Sequence, residues 1–486
     1  MTISAHSTSS ISVSTDSHRE TLGLWDVVSL TIGIVVGVSI FKVPGEVFLK
    51  AGSPLAGMLI WVAGALLALA GAMCYAELSA AYPQFGAEYV YLGRAYGRRI
   101  AFLFGWLQTL VILPASVGAM SFVFATYAGE FSAHLKPYPG LLAAAAIGFL
   151  SVLQWMGFQV GRIAQNLLTT IKAISLVGVL ICGLSLTPVE SVLPATTSSS
   201  GWNGLGLALI FVLYAYGGWS DVAIVTPEVR NCRRNIPRGL MMGLMLITAL
   251  YLLLNFSFLK GLGYADVCRI PAPAAEVVRR ALGPASSRTV SLIIMASALG
   301  AIHGMLFSGC RLLPAIGEDF PLFHKWTIWN QRQVPTYALA TLSTISLLMT
   351  IVVGTAAGQQ QIDSMMVAMR LTPPRWEDFG GGFEVLVAAS SSIFWGFFML
   401  SGIALIVLRY TDPDRSRSFR VPLYPATPIL FAGTSAYMLW SSCNFAGRLT
   451  VLLLPVIVVG IILAIIQKMT VPSETVPNEA VPNDSV

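Results

Sequence analysis

The chain has 486 residues, 55% of them hydrophobic and only 11% charged, and its net charge is +6. Soluble globular proteins carry about 25% charged residues, so this composition excludes an ordinary soluble enzyme or binding domain. The basic residues stand in short stretches between apolar runs, which excludes a nucleic-acid-binding stripe. The six cysteines show no metal-ligand spacing, so no metal, cofactor or structural disulfide is expected.

Apolar runs long enough to cross a bilayer repeat along the chain. Residues 1–20 are rich in Ser and Thr and lack the apolar core of a signal peptide, and residues 470–486 are rich in Pro and Val, so both are predicted to be disordered tails. Between them we predict an all-α integral membrane protein with twelve transmembrane helices. They lie at about 24–48, 55–82, 99–128, 139–158, 163–187, 202–226, 239–260, 287–316, 334–354, 382–408, 423–443 and 446–467.

The distribution of Lys and Arg predicts the orientation of these spans. Their densest clusters fall in connections on the N-terminal side of the membrane, such as Arg230, Arg233, Arg234 and Arg238 after the sixth span. Cytoplasmic loops carry an excess of Lys and Arg. We therefore expect a multi-pass protein of the plasma (inner) membrane with both termini in the cytoplasm.

Two of the predicted spans contain small, flexible residues near their middle. Gly37-Val38-Ser39 interrupts the apolar run 24–48, and Gly217-Gly218-Trp219-Ser220 interrupts the run 205–226. Unwound backbone is tolerated at that depth only where it lines a cavity or is buried in protein. Two broken helices at corresponding positions are typical of a secondary transporter. The alternative is that these glycines only allow close helix packing.

The breaks fall in the first and sixth spans, which suggests an internal repeat. Residues 21–187 are predicted to form a first repeat of five helices and residues 188–410 a second, inverted one. Helices 11 and 12, within 411–469, lie outside the repeat. A pseudo-two-fold axis in the membrane plane would bring both breaks together at the midplane.

A broken helix offers free N–H groups at one end and free carbonyls at the other, which suit the carboxylate and the ammonium of an amino acid. Donors are expected at Gly37–Ser39, carbonyls near Ile32 and around Tyr214. The predicted substrate-binding residues are Ile32, Gly33, Gly37, Val38, Ser39, Tyr214, Ala215, Gly217, Gly218 and Trp219. The aromatic residues around the second break also suggest a gate or a side-chain pocket.

Lys172 lies deep inside the fifth span, where an unpaired charge costs at least ~2.5–3.5 kcal/mol. It could carry a proton, or stay charged and take the place of a bound sodium ion between the first and eighth helices. A purely structural tie between helices is the third interpretation. Ser308, in the eighth span, is predicted to belong to the same coupling site.

Three other polar residues are weighed. Asp221 could face the pathway or cap the half-helix that follows the second break. His303 is a possible pathway residue, although a hydrogen-bonded packing role is favoured. Glu77, at the end of the second span, is interpreted as a carboxylate paired to loop arginines.

Four segments resemble the amino acid–polyamine–organocation superfamily, and within it the L-type amino acid transporter branch and its bacterial relatives. They are GIVVGVSIFKVPG at 33–45, YAELSAAYPQFGAEYVYL at 75–92, YAYGGWSDVAIVTPEVRNCRRNIPR at 214–238 and SALGAIHGMLFSGCRLLPAIGEDFPLF at 297–323. The resemblance implies a leucine-transporter-like fold with 5+5 inverted repeats, broken helices 1 and 6, and alternating access. It places Tyr214 at an aromatic gate and Lys172 at the lysine that stands in for sodium in sodium-independent members. The chain departs from the family where Val38 and Ser39 follow Gly37, and where Asp221 replaces a neutral residue.

These features predict a secondary active transporter of neutral L-amino acids, either a sodium-independent exchanger or a proton-coupled permease. The alternatives are a transporter of cationic amino acids or polyamines and, from a different class, a non-transporting amino acid sensor. No enzyme motif is present. The expected partners are the amino acid and the lipid bilayer. The loop 129–139 lacks the cysteine with which animal relatives bond a glycoprotein heavy chain, so no disulfide-linked heavy chain is expected.

Overall fold

A computed structural model describes residues 21–37, 39–132, 134–189, 202–270, 272–368, 370–379 and 381–466. Both predicted tails lie outside these ranges. The described residues are helical, and their β-structure is limited to two isolated bridges, Leu22 with Val229 and Trp329 with Pro335. Nine helices in this part of the chain are long and apolar enough to cross a membrane, which agrees with a multi-pass membrane protein.

The described residues of the first half of the chain form eight α-helices. They are α1 (Leu24–Val35), α2 (Ser39–Ala51), α3 (Pro54–Ala81), α4 (Glu88–Tyr96), α5 (Arg98–Leu107), α6 (Leu113–Ala128), α7 (Pro139–Trp155) and α8 (Phe158–Ser185). A π-helical turn, Gln108–Ile112, joins α5 to α6, so that one continuous helical run forms the predicted third span. The sequence does not predict this turn.

In the second half, the part that the structure describes contains eleven α-helices and, after α9, a 3₁₀ segment (Trp219–Glu228). The helices are α9 (Trp202–Ala215), α10 (Cys232–Leu262), α11 (Tyr264–Arg269), α12 (Pro273–Leu282), α13 (Ser287–Gly309), α14 (Leu312–Asp319), α15 (Thr336–Gly354), α16 (Ala356–Ala368), α17 (Gly382–Thr411), α18 (Ala426–Ala446) and α19 (Leu453–Ile466). The count of twelve spans and the 5+5 repeat remain predictions.

Helix α1 lies inside the bundle, against α8, α10 and α13. Two glycines of α10 allow this close approach. A Cβ atom at Gly239 would come within 2.3 Å of the Val27 side chain, and one at Gly243 within 2.7 Å of Thr31. Small residues at helix contacts are the usual way to bring two backbones together in a membrane protein. The end of α1 is therefore enclosed by protein on several sides.

Candidate functional site

The first break separates α1 from α2. Helix α1 ends at Val35, and Val36 has φ −72° and ψ 85°. The Gly37 N–H donates to the Val35 carbonyl at 2.7 Å, which closes a three-residue inverse γ-turn. Helix α2 begins at Ser39, and Val38 lies outside the described residues. Because the first N–H groups of a helix have no partner within it, the start of α2 offers donors at the break.

The second break follows α9, which ends at Ala215. The Gly217 N–H donates to the Tyr214 carbonyl at 3.2 Å, and Gly218 has a φ of +101°. This left-handed conformation suits glycine, since a side chain there is strained. The break begins at Tyr216, one residue earlier than predicted, and Trp219 already belongs to the 3₁₀ segment.

The two breaks lie next to each other. A Cβ atom at Gly218 would come within 2.9 Å of the Cγ2 atom of Ile34, which is one residue before the end of α1. The Tyr251 hydroxyl of α10 lies between the breaks, at 3.5 Å from the Val35 carbonyl oxygen and 3.3 Å from that of Ala215. This hydroxyl has a single proton, so it donates to one carbonyl at a time. Sequence reasoning missed Tyr251.

Lys172 joins the fifth predicted span to the first break. Its Nζ donates to the Gly33 carbonyl at 2.7 Å, and the side chain is 1% exposed. On α8 most outward positions are apolar, whereas a helical stripe of residues faces the protein and includes Lys172. The buried members of this stripe are Phe158, Gly161, Gln165, Thr169, Lys172, Leu176, Val179 and Gly183. Helical periodicity therefore directs the ammonium toward α1 instead of lipid.

Other side chains cover the remaining carbonyls at the end of α1. The Ser297 hydroxyl of α13 donates to the Val36 carbonyl at 3.3 Å, and the Thr169 hydroxyl donates to that of Ser29 at 3.2 Å. The Ile32 carbonyl, which the sequence predicts to bind the substrate, accepts the Val36 N–H at 2.9 Å. The carbonyls of Ile32, Gly33, Val35 and Val36 therefore have protein partners, whereas the first N–H groups of α2 have none within their own helix.

Ser308 is not close to Lys172. A Cβ atom at Gly300 would lie 3.6 Å from the Lys172 Nζ, and Ser308 is eight residues further along α13, about 12 Å at 1.5 Å per residue. Its hydroxyl donates to the Gly304 carbonyl within the same helix, at 2.9 Å. Ser297 is the α13 hydroxyl that reaches the break, and the sequence offers no signal that separates these two serines.

His303 is fully buried between α8 and α13. Its Nδ1 atom is 3.0 Å from the Gln165 Oε1 atom, and its ring stacks on Phe307 at 6.2 Å between centroids. Gln165 in turn donates to the Thr169 hydroxyl at 3.4 Å. These contacts fit the hydrogen-bonded packing role favoured by the sequence.

The aromatic residues around the second break point in different directions. Tyr214 meets Phe383 of α17 edge to face, at 6.2 Å between centroids. The Trp219 ring lies among Tyr75, Phe398 and Phe431 of α3, α17 and α18. Tyr214 is therefore the better placed for a gate, whereas the Trp219 ring belongs to an aromatic core.

Asp221 also points away from the first break. It lines a small cavity together with Glu88 of α4 and Gln108 of the π-helical turn. The second of the two alternatives for this residue, a cap on the following half-helix, receives no support, since the 3₁₀ segment that contains it begins two residues earlier.

Buried and partly buried ion pairs join these helices. Arg162 donates to both Asp26 oxygens at 2.9 and 2.6 Å, and so joins α8 to α1. Arg409, near the end of α17, donates to both Glu77 oxygens at 2.8 and 2.5 Å. Arg417, in the loop after α17, lies 3.4 Å from Glu77, so one of the two arginine partners of Glu77 is a loop residue as predicted. Arg311 pairs with Glu228 at the end of the 3₁₀ segment. Among the described residues, no group of His, Cys, Asp and Glu could hold a metal ion.

Comparison with known proteins identifies the family of this helical bundle. The amino acid permease family matches residues 22–466. The chain belongs to this family, within the amino acid–polyamine–organocation superfamily. It is 30% identical over 433 residues to the human b(0,+)-type amino acid transporter 1, covering 87% of this chain and 82% of the relative.

Two further relatives broaden the comparison. The chain is 25% identical over 428 residues to the serine/threonine exchanger SteT of Bacillus subtilis, covering 87% of this chain and 91% of the relative. It is 27% identical over 420 residues to the human cystine/glutamate transporter, covering 85% of this chain and 78% of the relative. These relatives are amino acid transporters and not enzymes, and the chain is an amino acid permease of a membrane.

Proposed function

We propose that this permease transports neutral L-amino acids without sodium, by alternating access, either as an exchanger or together with protons. The observation that carries the proposal is the bond from the buried Lys172 ammonium to the Gly33 carbonyl, at 2.7 Å. When it is protonated, Lys172 already places a positive charge on the carbonyl side of the first break. A second cation there would be repelled, so a sodium ion is not needed to hold α1 in place.

The substrate carboxylate is proposed to bind at the start of α2. The free N–H groups of Ser39 and the residues after it, together with the positive end of the helix dipole, favour an anion there. Its ammonium group would use carbonyls of the second break, which lies directly against Ile34. The printed names of the relatives, which include a serine/threonine exchanger, support an amino acid as the substrate.

A neutral side chain is favoured over a cationic one because Asp221 faces Glu88 and Gln108 instead of the first break. A cationic amino acid or polyamine is the alternative, should Asp221 turn toward the substrate during transport. Leucine and arginine uptake by Asp221→Asn separates the two. Unchanged leucine uptake with loss of arginine uptake would support the cationic alternative.

The test is amino acid uptake into proteoliposomes of purified protein in sodium-free buffer. One set is preloaded with unlabelled amino acid, one is empty, and one is empty with an inward proton gradient. We expect uptake in at least one set, and adding sodium should not stimulate it. Uptake only into preloaded vesicles identifies an exchanger, and gradient-driven uptake into empty vesicles identifies a proton-coupled permease.

Lys172→Met tests the role of the ammonium. A hydrogen bond to a charged group is worth about 1.5–3 kcal/mol, so we expect uptake to fall roughly tenfold to a hundredfold. Lys136→Met, at an exposed lysine in the loop before α7, is the matched control and should transport like the wild type. Wild-type uptake by Lys172→Met, or sodium-stimulated uptake by the unmodified protein, would contradict the proposal.

The proposal also covers the internal repeat, the membrane orientation and the absence of a disulfide-linked partner. Residues 21–187 and 188–410 are proposed to be the inverted repeats, with both termini in the cytoplasm and the protein in the plasma membrane. Because the loop 129–139 contains no cysteine, we propose that the permease works without a disulfide-linked heavy chain. On a non-reducing gel of cell membranes, we expect the permease to run as a single band with the same mobility as under reducing conditions.

A further inference from the structure

A small cavity lies on the side of the second break that faces away from α1. Its polar lining consists of Glu88, Gln108, Ser220 and Asp221, and phenylalanine rings of α5 and α17 complete the wall. The cavity has a volume of about 10 Å³, which is just sufficient for one water molecule. An amino acid cannot enter it, so this cavity is distinct from the proposed substrate site.

Two carboxyl groups face this cavity from different parts of the chain. Glu88 comes from α4 and is 5% exposed, and Asp221 comes from the 3₁₀ segment. The other titratable groups around Glu88 are the phenols of Tyr75, from α3, and Tyr91, from α4. The lining residues include no Lys, Arg or His. Two buried carboxylates that share one site without a cation cannot both stay ionised.

Two independent features indicate that the cavity holds a ligand. The Ser220 side chain is 1% exposed and lines the cavity, and its hydroxyl has no hydrogen-bond partner among the described residues beyond the adjacent Asp221 carboxyl group. A buried hydroxyl that donates only to a neighbouring carboxyl group still has free acceptor positions, which a water molecule in the cavity would satisfy. In addition, the π-helical turn begins at Gln108, and turns of this kind frequently occur at functional sites.

We propose that Glu88 and Asp221 share one exchangeable proton in this cavity, through a single water molecule that also bonds to Ser220. This is a proton-binding site separate from Lys172. The proton site stands by itself, and only its role in coupling rests on the proposed transport function. Burial, together with the smaller effect of the nearby Asp221 carboxylate, raises the pKa of Glu88 to about 8. The proton is therefore bound at neutral pH and is released as the pH rises through this range.

The test is infrared spectroscopy of the full-length protein in lipid, without any amino acid, over a pH series. A protonated carboxyl group absorbs separately from an ionised one. We expect a protonated-carboxyl band at neutral pH that is lost as the pH rises through about 8. Glu88→Gln and Asp221→Asn should each remove the band or shift its midpoint, and Ser220→Ala should shift its frequency.

Glu377→Gln is the matched control, because this exposed carboxyl group lies outside the cavity. Its spectrum should equal that of the wild type. A wild-type protein without the band at any pH would overturn the proposal, whether or not the variants fold. A band that persists unchanged in both Glu88→Gln and Asp221→Asn would overturn it as well.

The spectra do not depend on transport, so the two proposals fail separately. A titrating band without amino acid uptake would leave the proton site standing and refute the transport function. Amino acid uptake without the band would support the transport function and refute the proton site. If both hold, Glu88→Gln should flatten the pH dependence of uptake, whereas Glu377→Gln should leave it unchanged.

Discussion

The ion pair between Arg311 and Glu228 offers a sharp test of what holds the second broken helix in place. The Arg311 Nε atom lies 2.8 Å from both Glu228 oxygens, and its side chain is 0% exposed. The guanidinium also lies 4.0 Å from the centroid of the Phe307 ring. The backbone carbonyl of Glu228 accepts the N–H groups of Thr21 and Leu22, so the pair sits where the N-terminal segment meets the end of the 3₁₀ segment.

Arg311→Met leaves the Glu228 carboxylate buried without its cation. Removing one partner of a buried ion pair costs about 3–5 kcal/mol, whereas replacing both partners by apolar residues is often neutral. We therefore expect Arg311→Met to be strongly destabilised and the double variant Glu228→Met/Arg311→Met to recover most of the loss. The lost contact with Phe307, worth about 0.5–2 kcal/mol, would account for what is not recovered.

The assay is the thermal unfolding midpoint of purified protein in detergent. Because such unfolding is often irreversible, the midpoints serve as a ranking of variants. Arg280→Met is the control, since its pairs with Asp266 and Glu276 are partly exposed and such pairs contribute little. If Arg311→Met unfolds no earlier than Arg280→Met, or if the double variant is no more stable than the single one, the reasoning is refuted.

Three further variants probe the contacts around the breaks. Gly218→Ala should lower the stability by about 1–2 kcal/mol because of the left-handed backbone, and further because the new methyl group overlaps Ile34. We therefore expect a lower unfolding midpoint, which adding Ile34→Ala should restore only in part. Tyr251→Phe removes the donor shared by both breaks, and uptake should fall about tenfold; unchanged uptake would contradict this. Glu77→Gln leaves Arg409 without its carboxylate, and a midpoint equal to the wild type would show that the pair is not stabilising.

The sequence predicts the position of the breaks and of Lys172 well, for identifiable reasons. Consecutive small residues in the middle of a long apolar run weaken a helix locally, and Gly218 indeed adopts a left-handed conformation. Lys172 is the charged residue inside an otherwise apolar span, and the 3.6-residue period of α8 places it on the buried face. Both signals are local, so no knowledge of the neighbouring helices is required.

The partners of the broken backbone are not predictable in this way. Tyr251 and Ser297 stand in apolar runs, where a hydroxyl group commonly donates to its own helix, as Ser308 does to Gly304. Which hydroxyl instead crosses to α1 depends on the rotation of α10 and α13 about their axes. The cavity at Glu88 is hidden for the same reason, because Asp221 is distant from it in the sequence and only packing brings the two together.

The contacts between α1 and α8 constrain how the site can move. Asp26 pairs with Arg162, the Ser29 carbonyl accepts from Thr169, and the Gly33 carbonyl accepts from Lys172. These three contacts extend over about two turns of α1 and nearly three turns of α8. Separating α1 from α8 would therefore break an ion pair and two hydrogen bonds together. A rotation at Val36, where the helix has already ended, breaks none of them. The physical cost therefore favours a motion in which α1 and α8 move as one body and the backbone bends at the break.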